Sequence, residues 1–529
     1  MSMKFTMIIL AIVVYLGYML YLGAKLSKQN KSSDDFYLGG RKLGPFVTAM
    51  SAEASDMSSW LLMGLPGVAL LTGVAGNTTG FAEAVWTAIG LAVGTYFNWL
   101  IVAKRIRIYS EKTNSTTIPS FISDRFGDKK GFLTAVAAAI IIIFFVPYTA
   151  SGFSAIGKLA GTLFGIDYHT AMVVGAIVII SYTILGGFLA ASITDLVQSI
   201  IMSVALIVVV CFSIEGFGGM GAIKESILGL EGIESVKQYL NLFGTDGKSY
   251  GFLPIVSTLA WGLGYFGMPH ILLRFMAIED DKKLALSRRV ASVWVTISMG
   301  IAIFIGVIGY NFATSEGLIE AGFDSENIVI EIAKKISEVD TFAALLAGFI
   351  IAGILASIMS TADSQLLAAS SSVSENVVKR FLWKDMPAKA QMWFARGTML
   401  VIAIIAVFLA WDSNSSVFRI VSFAWAGFGA AFGPVMIFGL FWKRMTKWGA
   451  LAGMLSGGAV VFIWKYLIRH LGGAWDIYEL LPAFIVASIA IVAVSLLTAE
   501  PEKEICDTFD EVKAYCKSSA KTEVSEDNE

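Results

Sequence analysis

The sequence predicts an all-α polytopic membrane protein with about thirteen spanning helices of roughly 20 residues each. Two observations carry that expectation. The 529 residues are 56% hydrophobic and 15% charged, with a mean hydropathy of +0.72, whereas a water-soluble domain carries about 25% charged residues. The Lys and Arg residues also gather in alternate connections between long apolar stretches, as the orientation rule for membrane helices requires.

The apolar stretches begin near residues 5, 43, 80, 131, 169, 193, 252, 290, 341, 392, 417, 446 and 474. The first, 5–26, is too long for a signal-peptide core and shows no small-residue cleavage pattern before Lys28, so it reads as a retained helix. Breakers at 165–167 and 186–187 divide the apolar region 135–211 into three helices. One set of connections holds Lys25, Lys28, Lys31, Arg41 and Lys42, then Lys104, Arg105, Arg107, Lys112, Arg125, Lys129 and Lys130. Lys282, Lys283, Arg288 and Arg289, then Lys379, Arg380, Lys384 and Lys389, then Lys443, Arg444 and Lys447 fall on the same side, while the connection 72–83 has no basic residue. An odd number of spans follows, with the N-terminus outside and the C-terminus in the cytoplasm.

Two connections on the outer side, 216–251 and 314–341, are long enough for structure beyond the bilayer. The second carries Ile328, Ile330, Ile332, Ala333 and Ile336 beside Lys334 and Lys335, a pattern expected to lie in the membrane interface. The segment 499–529 is acidic: ten acidic and four basic side chains fall in 500–529, so the rest of the chain, at an overall net charge of −2, is +4. It is expected to be a mobile cytoplasmic extension. No basic block of nucleic-acid type occurs. The cysteines, Cys211, Cys506 and Cys516, have no metal-ligand spacing and read as reduced thiols. With no nucleophile elbow, HExxH or P-loop, and with His169, His270 and His470 scattered, the sequence does not read as an enzyme. The glycines at 427, 429 and 433 sit in an apolar stretch, where small residues serve close helix packing.

The second span departs from the apolar rule. It places Ser51, Glu53, Ser55, Asp56, Ser58 and Ser59 at its centre, followed by Gly64, Pro66 and Gly67. An ionisable group at that depth costs about 2.5–3.5 kcal/mol on insertion scales, so it faces a cavity or a partner. The pattern reads as an interrupted helix, whose unwound carbonyls and hydroxyls suit a hard monovalent cation and whose half-helix N-terminus attracts a substrate carboxylate. A second polar island, 354–372, puts Ser357, Ser360 and Thr361 at i, i+3 and i+4 on one helical face. Together the two islands can offer five oxygens, enough for sodium. A third stretch, 258–277, sets Trp261, Tyr265 and Pro269 at i, i+4 and i+8 among three interior glycines, and Tyr148 follows Pro147 in another span.

The segments DDFYLGGRKLGPFVTAMSAEASDMSSWLLMGLPG, GGFLAASITDLVQ, WGLGYFGMPHILLRFMA, MSTADSQLL and FAWAGFGAAFGPV resemble the solute:sodium symporter family over residues 35–497. The resemblance implies a LeuT-like five-plus-five inverted repeat. Helices 2–6 would fill 43–215 and helices 7–11 would fill 251–442. They would be flanked by a first helix and loop in 1–42, an outer connection in 216–250, helices 12–13 in 443–498 and the acidic tail. It also implies sodium bound by the Ala54 and Met57 carbonyls, the Ser357 position and the Ser360 and Thr361 hydroxyls, with Asp56 nearby. Substrate would contact Ser58, Ser59, Trp60, Tyr148, Trp261, Tyr265 and Pro269, while Arg41 and Asp195 would serve coupling and ion passage. The expected function is sodium-coupled symport of L-proline across a bacterial inner membrane, with no cofactor beyond the coupling ion and no defined protein partner. A symporter for another small amino or carboxylic acid and a transporter-like sensor are the alternatives, the latter opposed by a tail of only about 30 residues, short of any output domain. The family's proline pattern has Gly where Glu53 and Ser59 stand, Ala at Ser357 and Gln at Met268. Asp363 instead matches the wider family.

Overall fold

Hydrocarbon offers no hydrogen bonds to a backbone, so each spanning segment closes its own ladder as a helix. A computed structural model describes residues 3–28, 32–71, 79–229, 234–245, 248–319 and 323–526. The expected basic residue Lys31, positions 72–78 of the outer connection, and parts of the longer connections and of the last acidic residues lie outside them.

The helices that position the site run in chain order as α1 (Met3–Ser27), the short pair α2 (Pro45–Asp56) and α3 (Trp60–Leu70), α4 (Gly80–Lys112) and α5 (Phe132–Phe164). Next come α6 (Tyr168–Ile184), α7 (Gly186–Gly216), the pair α8 (Phe252–Gly267) and α9 (Pro269–Ala277), and α10 (Asp281–Ser315). The chain ends with α11 (Ile328–Ser337), α12 (Thr341–Leu382), α13 (Lys389–Leu409), α14 (Val417–Phe441), α15 (Lys447–Leu471), α16 (Leu480–Leu497) and α17 (Lys503–Glu526). Among the described residues ten helices are long and apolar enough to cross a membrane, and α3, α6 and α8 are shorter apolar helices at the second, fifth and seventh expected spans. The breakers act where the sequence places them. Gly165 ends α5 at a φ of 63°, and Gly187, at φ 71° and ψ −177°, kinks the chain between α6 and α7.

Glycine sets how closely the helices around the site approach. A Cβ on Gly262 would stand 2.1 Å from the Gly90 carbonyl oxygen, and one on Gly94 would stand 2.3 Å from the Gly262 oxygen, so α4 and α8 meet backbone to backbone. The glycines of α14 behave as packing residues too. Gly427 admits the Phe144 ring, and Gly429 faces Gly264 and Leu480. At the face of the molecule that carries the basic connections, the start of α2 is stitched to the end of α9: Leu43 N donates to Ala277 O at 3.1 Å and Glu279 N to Leu43 O at 3.0 Å.

Two expectations are corrected. The segment 328–336 does not lie in the membrane interface: Ile328, Val329, Ile330, Ile332, Ala333 and Ile336 are buried in the protein. Lys158 of α5 explains the placement, since its Nζ donates to Asp324 Oδ2 at 2.7 Å and to Glu326 Oε2 at 2.8 Å just before α11. Glu326 in turn accepts from the Ser416 hydroxyl at 2.8 Å and from the Val417 and Phe418 amides at 3.0 Å, capping α14. Nor is the acidic tail an unstructured extension. It forms α17, with Phe509 and Val512 buried and the Arg125 guanidinium 5.0 Å from the Phe509 ring. Ile505, Phe509, Val512 and Cys516 recur at helical spacing, an apolar stripe that the net charge conceals. Lys443 pairs with Asp510 at 2.5 Å, Lys129 with Glu502 at 3.4 Å, and Lys112 with Glu511.

Gly262→Ala should overpack the α4–α8 contact at a cost of about 1–3 kcal/mol and displace Tyr265 one turn on. The expected outcome is a lower thermal midpoint for the purified protein. A midpoint within about 1 °C of the unsubstituted chain would mean that the contact has room to spare.

Candidate functional site

The second expected span is broken where its polar residues fall. Met57 N closes the last helical bond of α2 on Glu53 O at 2.8 Å, Met57 leaves the helix at φ −74° and ψ 67°, and Ser58 N folds back onto Asp56 O at 2.8 Å. That detour takes the Ser58 amide away from the Ala54 carbonyl, its partner in an unbroken helix. The Ala54 oxygen accepts a side-chain donor instead, the Ser360 hydroxyl of α12 at 2.7 Å. Ser360 Oγ also lies 3.2 Å from Ser357 O, to which the Thr361 hydroxyl donates at 3.1 Å, and the Ser357 hydroxyl bonds within its own helix to Ile354 O at 2.8 Å. Ala54, Ser357, Ser360 and Thr361, widely separated in sequence, thus converge in one fully or almost fully buried cluster beside Met57. The oxygens gathered there are neutral carbonyls and hydroxyls, a set that suits a hard monovalent cation.

Asp56 lies beside the cluster and turns toward α8. Its Oδ2 accepts the Tyr265 hydroxyl at 2.5 Å, and its carbonyl accepts the Trp60 indole N–H at 2.9 Å and the Tyr148 hydroxyl at 3.4 Å. Tyr265 packs edge-on against Trp425 at 5.1 Å, and Trp425 Nε1 donates to Trp261 O at 2.8 Å. The Trp261 ring stacks on Tyr478, 5.1 Å between centroids and 20° between planes. Ser58, Ser59 and Trp60 form the turn that leads into α3, and Ser59 Oγ is buried without a partner among the described residues. Pro269 opens α9 directly after the buried, extended Met268. The expected pocket residues therefore gather around the two helix breaks, with Tyr148 drawn in from α5.

The chain is similar to known proteins in sequence and in fold. The sodium:solute symporter family model matches residues 36–457. The chain is 42% identical to a sodium/proline symporter of Haemophilus influenzae, over 96% of this chain and 98% of that one. It is 41% identical to the high-affinity proline transporter PutP of Bacillus subtilis, over 93% and 98%. The chain belongs to the sodium:solute symporter family. A sodium-coupled sialic acid symporter, solved substrate-bound and outward-open, shares the fold at a TM-score of 0.74 and 19% identity, covering 95% of this chain and 99% of that one. The architecture of this symporter is therefore the LeuT-like helical one, and the chain is a multi-pass membrane transporter rather than an enzyme.

Arg41 and Asp195 lie outside the cluster. Arg41 sits at the basic face with a φ of 55°, where its NH1 donates to Met276 O at 2.6 Å and to Ser110 Oγ at 3.0 Å. Its NH2 donates to the Ser110 and Ser115 carbonyls at 2.9 and 2.8 Å. It clamps the ends of α4 and α9, and burial, reinforced by the nearby Arg107 charge, pushes its guanidinium down to about 10. Asp195 of α7 accepts the Ser51 hydroxyl at 2.6 Å and the Arg274 guanidinium at 3.1 Å. Arg274 also reaches the Ser364 hydroxyl at 2.5 Å, and Ser364 bonds Asp363 Oδ1 at 3.1 Å, so Asp195 is wired to α12 one turn beyond Ser360. Tyr182 donates to the other oxygen of Asp363.

Arg274, Tyr182, Ser364 and Tyr478 join the site without being among the residues that the sequence marks as candidates. Arg274 stands in the apolar run HILLRFMA, and the cost of an ionisable group in hydrocarbon marks it on the same ground as Asp56. The others are neutral residues of common type, and only their partners identify them.

Ser360→Ala removes the donor on the Ala54 carbonyl and one candidate cation oxygen. The expected result is at least about tenfold weaker apparent sodium affinity in the purified symporter, near 1.4 kcal/mol. An unchanged affinity would reduce the contact to helix packing.

Proposed function

We propose that the protein is a secondary active transporter that carries L-proline into the cell with sodium by alternating access. The observation that carries this reading is the Ser360-to-Ala54 link, which joins the break in α2 to the hydroxyl face of α12 immediately beside Asp56 and Tyr265. The names of the relatives that match nearly the whole chain support proline as the substrate. Sodium is held by the Ala54 and Met57 carbonyls, Ser357, Ser360 and Thr361. Proline is bound beside Asp56 by Ser58, Ser59, Trp60, Tyr148, Trp261, Tyr265 and Pro269. Arg41 and Asp195 act in coupling and ion passage. The membrane is the plasma membrane, with the N-terminus outside and the basic connections and α17 in the cytoplasm. Residues 43–215 and 251–442 are the two inverted repeats.

Sodium acts first in this scheme. By drawing the freed α2 carbonyls and the α12 hydroxyls onto one ion, it fixes the turn 57–59 and with it the Asp56–Tyr265–Trp60 wall of the pocket. A ligand shifts a conformational equilibrium only by its difference in affinity between the two states, so the coupling depends on this closed arrangement being the better sodium site. One inward sodium charge gains about 2.3 kcal/mol per 100 mV of membrane potential. At one sodium per substrate that sustains roughly fiftyfold accumulation before any concentration gradient is added. Ser59 and Met268 favour a second reading, symport of another small amino or carboxylic acid, because both stand at the pocket where the proline pattern has other residues.

Labelled L-proline uptake into proteoliposomes, with and without an inward sodium gradient and with unlabelled competitors, separates the two readings. Sodium-dependent accumulation blocked by excess proline is expected, and Asp56→Asn should abolish or severely weaken its sodium dependence. A preparation that binds sodium but ignores proline would assign the pocket to another small solute, and normal sodium affinity in Asp56→Asn would remove that residue from the ion's surroundings.

A further inference from the structure

Glu53 is a buried acidic residue that the transport scheme leaves unused. It stands on α2 next to Ala54 and is fully buried, and among the described residues no Lys, Arg or His pairs with it. One carboxylate oxygen is doubly held by α4: Oε1 accepts the Thr95 hydroxyl at 3.0 Å and the Trp99 indole N–H at 2.9 Å. The other, Oε2, is buried without a partner.

Asp56 repeats that asymmetry three residues on, which puts the two side chains about 5–6 Å apart at their Cβ atoms on one helical face. Its Oδ2 holds the Tyr265 hydroxyl, and its Oδ1 is buried without a partner among the described residues. Asn98 supplies an independent mark. It lies on the same turn of α4 as Thr95 and Trp99, is fully buried, and uses its amide N–H on Tyr265 O at 2.9 Å while its Oδ1 has no donor. Tyr265 thus links both ends of the arrangement, with its hydroxyl on Asp56 and its carbonyl on Asn98.

Among the described residues the circuit joining α2, α4 and α8 leaves three acceptors spare, Glu53 Oε2, Asp56 Oδ1 and Asn98 Oδ1, and no cationic side chain pairs with its two carboxylates. A buried site rich in acceptors is completed by a positive ion. Resting on the transport reading above, we propose that Glu53, with Asp56 and Asn98, holds a second exchangeable sodium ion, separate from the one bound by Ala54 and the α12 hydroxyls. The ionisable groups that face Glu53 are Asp56 on its own helix and Tyr265 on α8. The residues that α4 presents to it, Thr95 and Trp99, do not ionise. A second cation moving with substrate raises the charge carried per cycle, and with it the accumulation that a given membrane potential sustains.

The test counts cations on the purified full-length protein. Radioactive sodium bound at saturation is measured for the unsubstituted chain, Glu53→Gln and Glu53→Asp. Glu53→Gln keeps the shape and the acceptor for Thr95 and Trp99, so it should fold, and monodisperse elution with sodium still bound at the first site checks that it does. Glu53→Gln is expected to bind one sodium fewer. Glu53→Asp should retain the second cation with several-fold weaker affinity. Equal sodium counts in the unsubstituted chain and Glu53→Gln would overturn the proposal. Absence of bound sodium from the unsubstituted chain would instead contradict the transport reading.

Discussion

A carbonyl released from a helix inside a membrane has no water to turn to, and that constraint organises the centre of this molecule. Once Ser58 N bends back to Asp56, the Ala54 oxygen must find a donor or a cation. The Ser360 hydroxyl meets the need in this structure, and it can do so only because α12 presents its polar face to the break. The position of the turn 57–59, the direction of Asp56 and the approach of Tyr265 all depend on that one junction. An ion able to serve the same carbonyl and hydroxyl would act on the whole pocket through it.

Other parts of the fold hold the junction in register. The α4–α8 contact, glycine against glycine, brings Tyr265 within reach of Asp56 and lets Asn98 grip its carbonyl. On the basic face, Arg41 and the Leu43–Ile278 bridge tie the first turns of α2 to the end of α9. At the opposite face, Lys158 and Glu326 fasten the segment before α11 to α5 and α14, and a Cβ on Gly67 of α3 would stand 3.0 Å from Ser325 O in that segment. Both ends of the broken span are therefore anchored, and its non-helical part is confined to a few residues around Met57.

The sequence made the spans legible because their signal is compositional, and it made the break legible because Asp56 and four serines cannot sit in lipid without a partner. Ser360 and Thr361 could be read from helical spacing, and the family's motifs carried them to the same cluster that the structure assembles. Partnership was not legible. Thr95, Asn98 and Trp99 are ordinary side chains until Glu53 and Tyr265 are seen to need them, and a one-dimensional pattern does not say which helix lies opposite. The two misread segments share a cause: 328–336 and the tail were judged by amphipathicity and net charge, which give a polar face and an apolar face but not the surface that the apolar face meets. In α11 that surface is the protein interior, and in α17 it is the surface around Arg125 and Gly127.

The central claim is that the α2–α12 junction links ion binding to substrate binding. Linkage makes it measurable without transport, because sodium must change the affinity for proline by the same factor as proline changes the affinity for sodium. Equilibrium binding of each to the purified protein, in the presence and absence of the other, gives both factors. The account predicts equal factors, well above one in the unsubstituted chain and collapsing toward one in Ser360→Ala. Proline binding that is indifferent to sodium in a chain that binds both would contradict it.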